Sequence, residues 1–288
     1  MKKTIFTIFL ITLGLVGIAQ EGEVKEGWTN KGNVSFLFNQ SAFSNWLAGG
    51  ENNIAGTLGV NYDFNYKREN ITWDNKIIGS YGLVKTKNAE FAKKTDDRIE
   101  LNSLYGRKAS GNWFYSGFVN FKTQLTEGYE YGTNANGKET RTSYTNFFSP
   151  AYLTFGPGML WKKSDNLKVN IAPATSKMVF VEKDRTLPDA KYFGVDEGKN
   201  LRYELGFYTS GYYKFNIMEN VSVENILNLY ANYLEDPQNV DLDYQLNVVM
   251  KINKYLSTNV AFQTIYDDNA YKGFQIRQVF GVGVNFGF

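Results

Sequence analysis

From Phe274 to the chain end, one parity carries Phe274, Ile276, Phe280, Val282, Val284, Phe286 and Phe288, interrupted only by Gln278. The other parity carries Gln275, Arg277, Val279, Gly281, Gly283, Asn285 and Gly287. Successive residues of a strand point to opposite faces, so the alternation predicts one extended strand, greasy on one side and small or polar on the other. It runs well past the ~5–6 residues of an ordinary globular strand. The same period recurs upstream. Residues 240–252 place Val240, Leu242, Tyr244, Leu246, Val248, Met250 and Ile252 on one face without a fault, and residues 54–66 are nearly as regular.

Similar segments at 32–40, 71–84, 98–108, 113–125, 151–161, 167–181, 200–217, 221–234 and 256–267 bring the expected strands to twelve. Short turns are predicted near residues 69, 111, 164, 219 and 254, alternating with longer connections at 85–97, 127–149 and 182–199. An even number of alternating strands with short turns at one end and long loops at the other is the pattern of an all-β, transmembrane antiparallel up-and-down β-barrel. In this register Trp28, Trp73, Trp113 and Trp161 fall with outward parity at the short-turn end. Tyr81, Tyr203, Tyr233, Tyr266 and Phe274 fall near the other rim. Aromatics of this kind settle at membrane–water interfaces, so two girdles emerge from one register.

Residues 167–181 break the rule. Pro173 lacks a ladder donor, and uninterrupted alternation would aim Lys177 at lipid, where a charge costs about 2–4 kcal/mol at mid-depth. A bulge at residues 173–175 shifts the parity and returns Lys177 to the interior.

Composition sharpens the picture. Aromatic residues make up 16% of the chain, yet mean hydropathy is negative, as a lipid-facing exterior around a wet interior requires. Lys2 and Lys3 precede an apolar run that ends in Gly17, Ile18 and Ala19, so residues 1–19 are expected to form a cleaved signal peptide. Residues 20–31 follow as a short periplasmic lead-in and residues 32–288 as the barrel. The chain contains no cysteine, which excludes disulfides, thiolate metal sites and a lipoprotein anchor. It contains no histidine, which removes Ser–His hydrolases and His-ligated metal sites. A net charge of +2 gives no argument for nucleic acid. Gly281, Gly283 and Gly287 lie on a strand with no helix after it, so they are not a phosphate loop. The pairs Asp96–Asp97 and Asp267–Asp268 read as solvated loop charge before they read as cation contacts. No enzyme activity, cofactor or metal is expected.

After the first strand comes a distinctive stretch containing Phe38, Gln40, Phe43, Asn45, Trp46, Gly49, Gly50 and Asn52. It resembles the signature of an uncharacterised outer-membrane barrel family of Bacteroidetes, known only as a domain of unknown function. The resemblance implies a barrel in the outer membrane of a Gram-negative bacterium, and it implies no activity. Physically, the glycine pair permits a tight bend, the asparagines can bond neighbouring backbone, and Trp46 offers a large anchor. Two readings stay open: a loop that packs on the barrel mouth, or a contact for a ligand or partner.

Outside residues 167–181, inward parity collects eight cations and eight anions, a wall that neutralises itself rather than the cation excess of a polyanion pore. Near the short-turn end, Lys214, Glu224 and Lys251 are expected to form one charged row, with Glu224 opposite each lysine in turn. The first functional reading is a non-enzymatic barrel acting in binding or as a structural subunit of an envelope assembly, with lipid and other envelope proteins as partners. The alternative is a narrow pore or small-solute transporter.

Overall fold

The computed structural model describes residues 26–45, 47, 50–186 and 191–287. The expected signal peptide lies outside them, as do Trp46, Gly49 and Phe288. Among the described residues fourteen strands are formed: β1 (Gly27–Ser41), β2 (Asn53–Arg68), β3 (Ile71–Thr86), β4 (Lys93–Ser110), β5 (Trp113–Thr123), β6 (Gly128–Thr133), β7 (Glu139–Thr145), β8 (Ala151–Ser164), β9 (Leu167–Phe180), β10 (Leu201–Met218), β11 (Val221–Asn232), β12 (Val240–Lys251), β13 (Leu256–Asp267) and β14 (Tyr271–Gly287). Twelve close into an antiparallel barrel in which β5 pairs with β8 and β1 with β14. The remaining two, β6 and β7, form a separate hairpin within the connection that the sequence left unstructured.

The five short turns fall at residues 69–70, 111–112, 165–166, 219–220 and 252–255, where the hydrophobic pattern put them. β1 begins earlier than expected: Gly27 pairs with Lys67 and Lys31 with Asp63, so the second half of the supposed lead-in is already strand. Alternation dictates what each face meets. Phe36, Phe38, Leu58, Trp73, Tyr203, Phe280 and Phe286 stand exposed on the outside, whereas Glu100, Asn120, Asn170, Glu204 and Gln245 are buried inside. An exterior this apolar around a polar interior is the surface of a membrane-spanning barrel, with every central strand donating its backbone groups to neighbours.

The seam is short. β1 and β14 are joined by six residue pairs among the described residues, from Asn33↔Gly287 to Phe38↔Val282, against fifteen between β1 and β2. A Cβ on Gly283 would collide with the backbone carbonyl of Phe36, so this position of the seam admits only glycine.

The irregularity expected in residues 167–181 is present. Gly206 pairs with Thr175 and Tyr208 with Ala172, leaving Pro173 and Ala174 together opposite Phe207. On the other side, the β8–β9 ladder is interrupted between Phe155 and Met159, around Pro157. Pro157 itself faces Gly117 of β5, in the intact ladder. Both prolines thus sit where the β8–β9 ladder has no use for a donor. The loosened backbone is held by other groups: Thr175 Oγ1 donates to the Ala172 carbonyl at 2.9 Å and the Tyr233 hydroxyl to the Pro173 carbonyl at 3.0 Å. Past the bulge Lys177 is buried in the lumen.

Candidate functional site

Long charged side chains meet across the bore. In the twelve-strand ring β3 and β11 are diametrically opposed, and Lys76 Nζ of β3 lies 2.9 Å from Glu224 Oε1 of β11. Higher up, Lys122 of β5 reaches Asp243 of β12 at 2.6 Å, and Arg98 of β4 donates to Gln245 Oε1 at 3.0 Å. Lys162 and Lys168, from β8 and β9, converge on Asp74 of β3 at 2.8 and 2.6 Å. Toward the long loops Lys177 Nζ sits 2.7 Å from Asp241, 3.5 Å from Glu204 and 3.7 Å from Asp267. Arg202 holds the other oxygen of Glu204 at 2.7 Å, and Arg277 pairs with Asp96. Charge with little water near it persists only when it is paired, and each of these charged groups has a counter-charge or a polar partner within 4 Å.

Of the row expected from Lys214, Glu224 and Lys251, the ladders bring the first two opposite each other and not the third. Lys214 stands opposite Glu224 in the β10–β11 ladder. The residue opposite Glu224 in β12 is Asn247, whose Nδ2 donates to Glu224 Oε2 at 3.2 Å. Lys251 is exposed at the end of β12, paired in register with Ser257. The reason is the β11–β12 connection. β11 ends at Asn232, its Oδ1 accepting from Leu234 N–H at 3.0 Å, and Asp236 takes a left-handed φ of 48°. The loop therefore begins earlier than the alternation suggested, and the register moves by four residues. The partner of Glu224 that counts, Lys76, comes from the opposite wall. No short-range sequence pattern relates residues 148 positions apart.

Between these pairs and the short turns lies a cavity of about 490 Å³. Its lining runs from Asn30, Asp165 and Asn166 at the turn end to Glu100 and Asn120 at mid-depth. Phe118 and Tyr208 form part of its wall, their rings stacked with centroids 4.6 Å apart. The sequence offered no signal for this cavity beyond an inward parity rich in asparagine.

The long-loop end is capped. Val179, Val181, Tyr192 and Val195 form a buried cluster with Tyr152 and Phe193 against it. The Tyr192 hydroxyl donates to the Tyr144 carbonyl at 2.5 Å, and burial pushes its pKa up to about 12. In the β6–β7 hairpin, Arg141 lies over the rings of Tyr129 and Phe91, and Glu139 takes a 2.7 Å ion pair from Lys93 that holds its carboxyl below the usual range.

The loop after β1 packs on itself. Gln40 is the penultimate residue of β1, paired with Ile54. The Phe43 N–H donates to Asn52 Oδ1 at 2.6 Å, and Asn45 takes a left-handed φ of 53°. Gly50 has φ 139°, and a Cβ there would come within 2.9 Å of the Phe43 ring. Each aspartate pair finds a cation or amide from the chain itself: Asp96 meets Arg277, Asp97 meets Lys94 at 2.6 Å, Asp267 lies near Lys177, and Asp268 accepts from Asn239 at 2.7 Å. Asp241, Asp267 and Asp268 come close together, and the Lys177 ammonium supplies countercharge to the first two.

A family model described as "Protein of unknown function (DUF3078)" matches residues 38–129, about a third of the chain and inclusive of the loop after β1. No curated protein matches. Among solved structures, the translocator domain of autotransporter NalP from Neisseria meningitidis is similar at 11% identity and a TM-score of 0.39, over 100% of this chain and 95% of that one. The COG4313 outer membrane channel from Pseudomonas putida F1 is similar at 7% identity and a TM-score of 0.39, over 95% and 99% of the two chains. The closed ladder of twelve strands, rather than these distant likenesses, defines the fold.

Proposed function

We propose that this chain is a non-enzymatic barrel of a Gram-negative outer membrane that provides a narrow, gated path for small polar solutes. The observation that carries the reading is the division of the lumen into an open polar cavity and a zone closed by ion-paired side chains. Side chains can change rotamer within nanoseconds to microseconds while the ladder around them stays intact, so such a closure is a gate in a way that a packed apolar core is not. The apolar exterior and the short turns at one end support the location. The balance of lumen charge supports a path with weak ion selectivity.

A second reading, a barrel that binds partners in an envelope assembly, is favoured by the ordered aromatic cap around Tyr144, Tyr192 and Phe193. Planar-bilayer recordings separate the two. Wild-type protein should conduct weakly. Glu224→Gln, which leaves Lys76 without its counter-charge, should raise the current several-fold or shift selectivity toward anions, with the barrel still folded by heat-modifiable gel migration. Silence from wild type, Glu224→Gln and Lys122→Gln alike, all folded, would leave the binding reading standing and the passage discarded.

A further inference from the structure

The cavity at the turn end has a chemical character that narrows what it can hold. Asparagines of inward parity line it, among them Asn102, Asn120, Asn170 and Asn228, and an amide offers donors and an acceptor at one site. Several of its ionic groups are already engaged: Lys76 with Glu224 at 2.9 Å, Lys168 with Asp74 at 2.6 Å, and Glu100 with the amides of Asn102 and Asn120 at 2.9 and 3.1 Å, while Lys31 and Lys214 stand opposite the carboxylates of Asp63 and Glu224 in the ladders. The lining carries four lysines against four carboxylates. At the depth of the formed pairs a charged solute would have to break one of them and leave its partner unmatched, which is strongly unfavourable away from bulk water.

Two polar atoms of the lining are left without a hydrogen bond: Glu100 Oε2, with the Arg98 guanidinium 3.7 Å away as countercharge, and the side-chain nitrogen of Asn170. Asn170 is 1% exposed, its Oδ1 accepts from Ser116 Oγ at 2.6 Å, and its Nδ2 has no partner. A buried donor without an acceptor is costly, and an acceptor oxygen brought by a ligand relieves it. Near it on the lining, the Phe118–Tyr208 stack supplies an apolar wall, and the Tyr208 hydroxyl is fixed by Asn228 at 2.8 Å. Aromatic surface plus a few oriented amides, in a volume within the usual 300–1,000 Å³ of small-molecule sites, is a binding pocket rather than a wide water channel.

We infer that this cavity is a site for a neutral, polyhydroxylated solute of sugar size, whose hydroxyls both donate and accept as the amides do and whose C–H face packs on the aromatic wall. The inference rests on the reading of the lumen as a solute path and names what the path is built to hold.

Calorimetric titration of the purified barrel in detergent with glucose, maltose, gluconate and glucosamine tests it. Glucose or maltose should bind saturably with a dissociation constant on the order of 1 mM, and the charged analogues at least about tenfold more weakly. Asn170→Leu, which removes the free donor and fills its space, should weaken sugar binding by about tenfold or more; Asn170→Ser, which keeps a hydroxyl for Ser116, should do the same with less disturbance. Gluconate or glucosamine binding as tightly as the neutral sugars overturns the inference, as does folded Asn170→Ser with unchanged affinity. The wild-type ranking decides the matter even where a variant fails to fold. Steady current with no saturable sugar binding discards the ligand class and keeps the passage; sugar binding with no current in any variant discards the passage and keeps the ligand class.

Discussion

The two halves of the lumen solve one problem in opposite ways. In the half nearer the long loops, Lys177 and Arg202 are packed among Asp241, Asp267 and Glu204, on strands no more than four places apart in the ring. Charges from neighbouring strands fill the bore from the wall inward, and the Tyr192 cluster closes over them. In the half nearer the short turns, Lys76 and Glu224 meet from opposite walls. A pair drawn along a diameter occupies a line, and the space to its sides remains as the cavity. Similar residues thus make a stopper under the cap and, in the Lys76–Glu224 pair, a strut, and the difference between the two lies in how far round the ring the partners stand.

The comparison breaks most completely if the parity of β9 is changed. Deletion of Ala174 removes the extra residue opposite Phe207 and turns Lys177 toward lipid, a placement that costs about 2–4 kcal/mol at mid-depth beyond the loss of the ion cluster. The barrel should fail to reach its heat-resistant gel form, and a deletion protein that folds with wild-type stability would show that the bulge sets nothing. Next in size, Lys177→Met leaves half-buried Asp241 and Asp267 without their cation and buried Glu204 with Arg202 alone, with an expected loss of about 3–5 kcal/mol in denaturant unfolding from micelles. Lys76→Met leaves Glu224 beside the cavity, with Tyr212 and Asn247 still donating to it, so a loss of about 1–3 kcal/mol is expected. Equal losses from the two substitutions would erase the distinction between stopper and strut.

The smallest effect belongs to the cap. Tyr192 donates its proton to the carbonyls of Tyr144 and Ser149, and its pKa stands near 12 against an ordinary 10. A group with a raised folded pKa contributes its full stabilisation below the unfolded value and loses it as pH rises through the folded one. Protection of residues 191–199 from protease should therefore be constant below pH 10 and decline toward pH 12, and Tyr192→Phe should flatten that decline.

What the sequence made legible was whatever depends on a period of two. Outward residues from Phe36 to Phe286, the five short turns and the bulge after Pro173 all follow from parity plus the rule that Lys177 must not face lipid. The β6–β7 hairpin escaped because its strands are short and polar, held by Arg141 over Tyr129 rather than by a greasy face. Lys251 was misplaced because a loop conformation, Asp236 at positive φ, sets the β11–β12 register. The Lys76–Glu224 strut was invisible for a deeper reason: partners across a bore are fixed by the closure of the whole ring, and no local pattern records it.

The β1–β14 seam has a consequence in time. It joins Asn33 to Gly287, so the first strand must wait for a segment about 250 residues away before it meets its second neighbour. Each of the other ladders closes a far shorter stretch of chain and can form earlier, since joining distant segments carries the larger entropic barrier. Until β14 arrives, β1 presents a row of unpaired backbone groups, open to any other edge it encounters. The order of assembly is thereby set by topology: hairpins first, ring last, and the vulnerable interval ends only when β14 is in place.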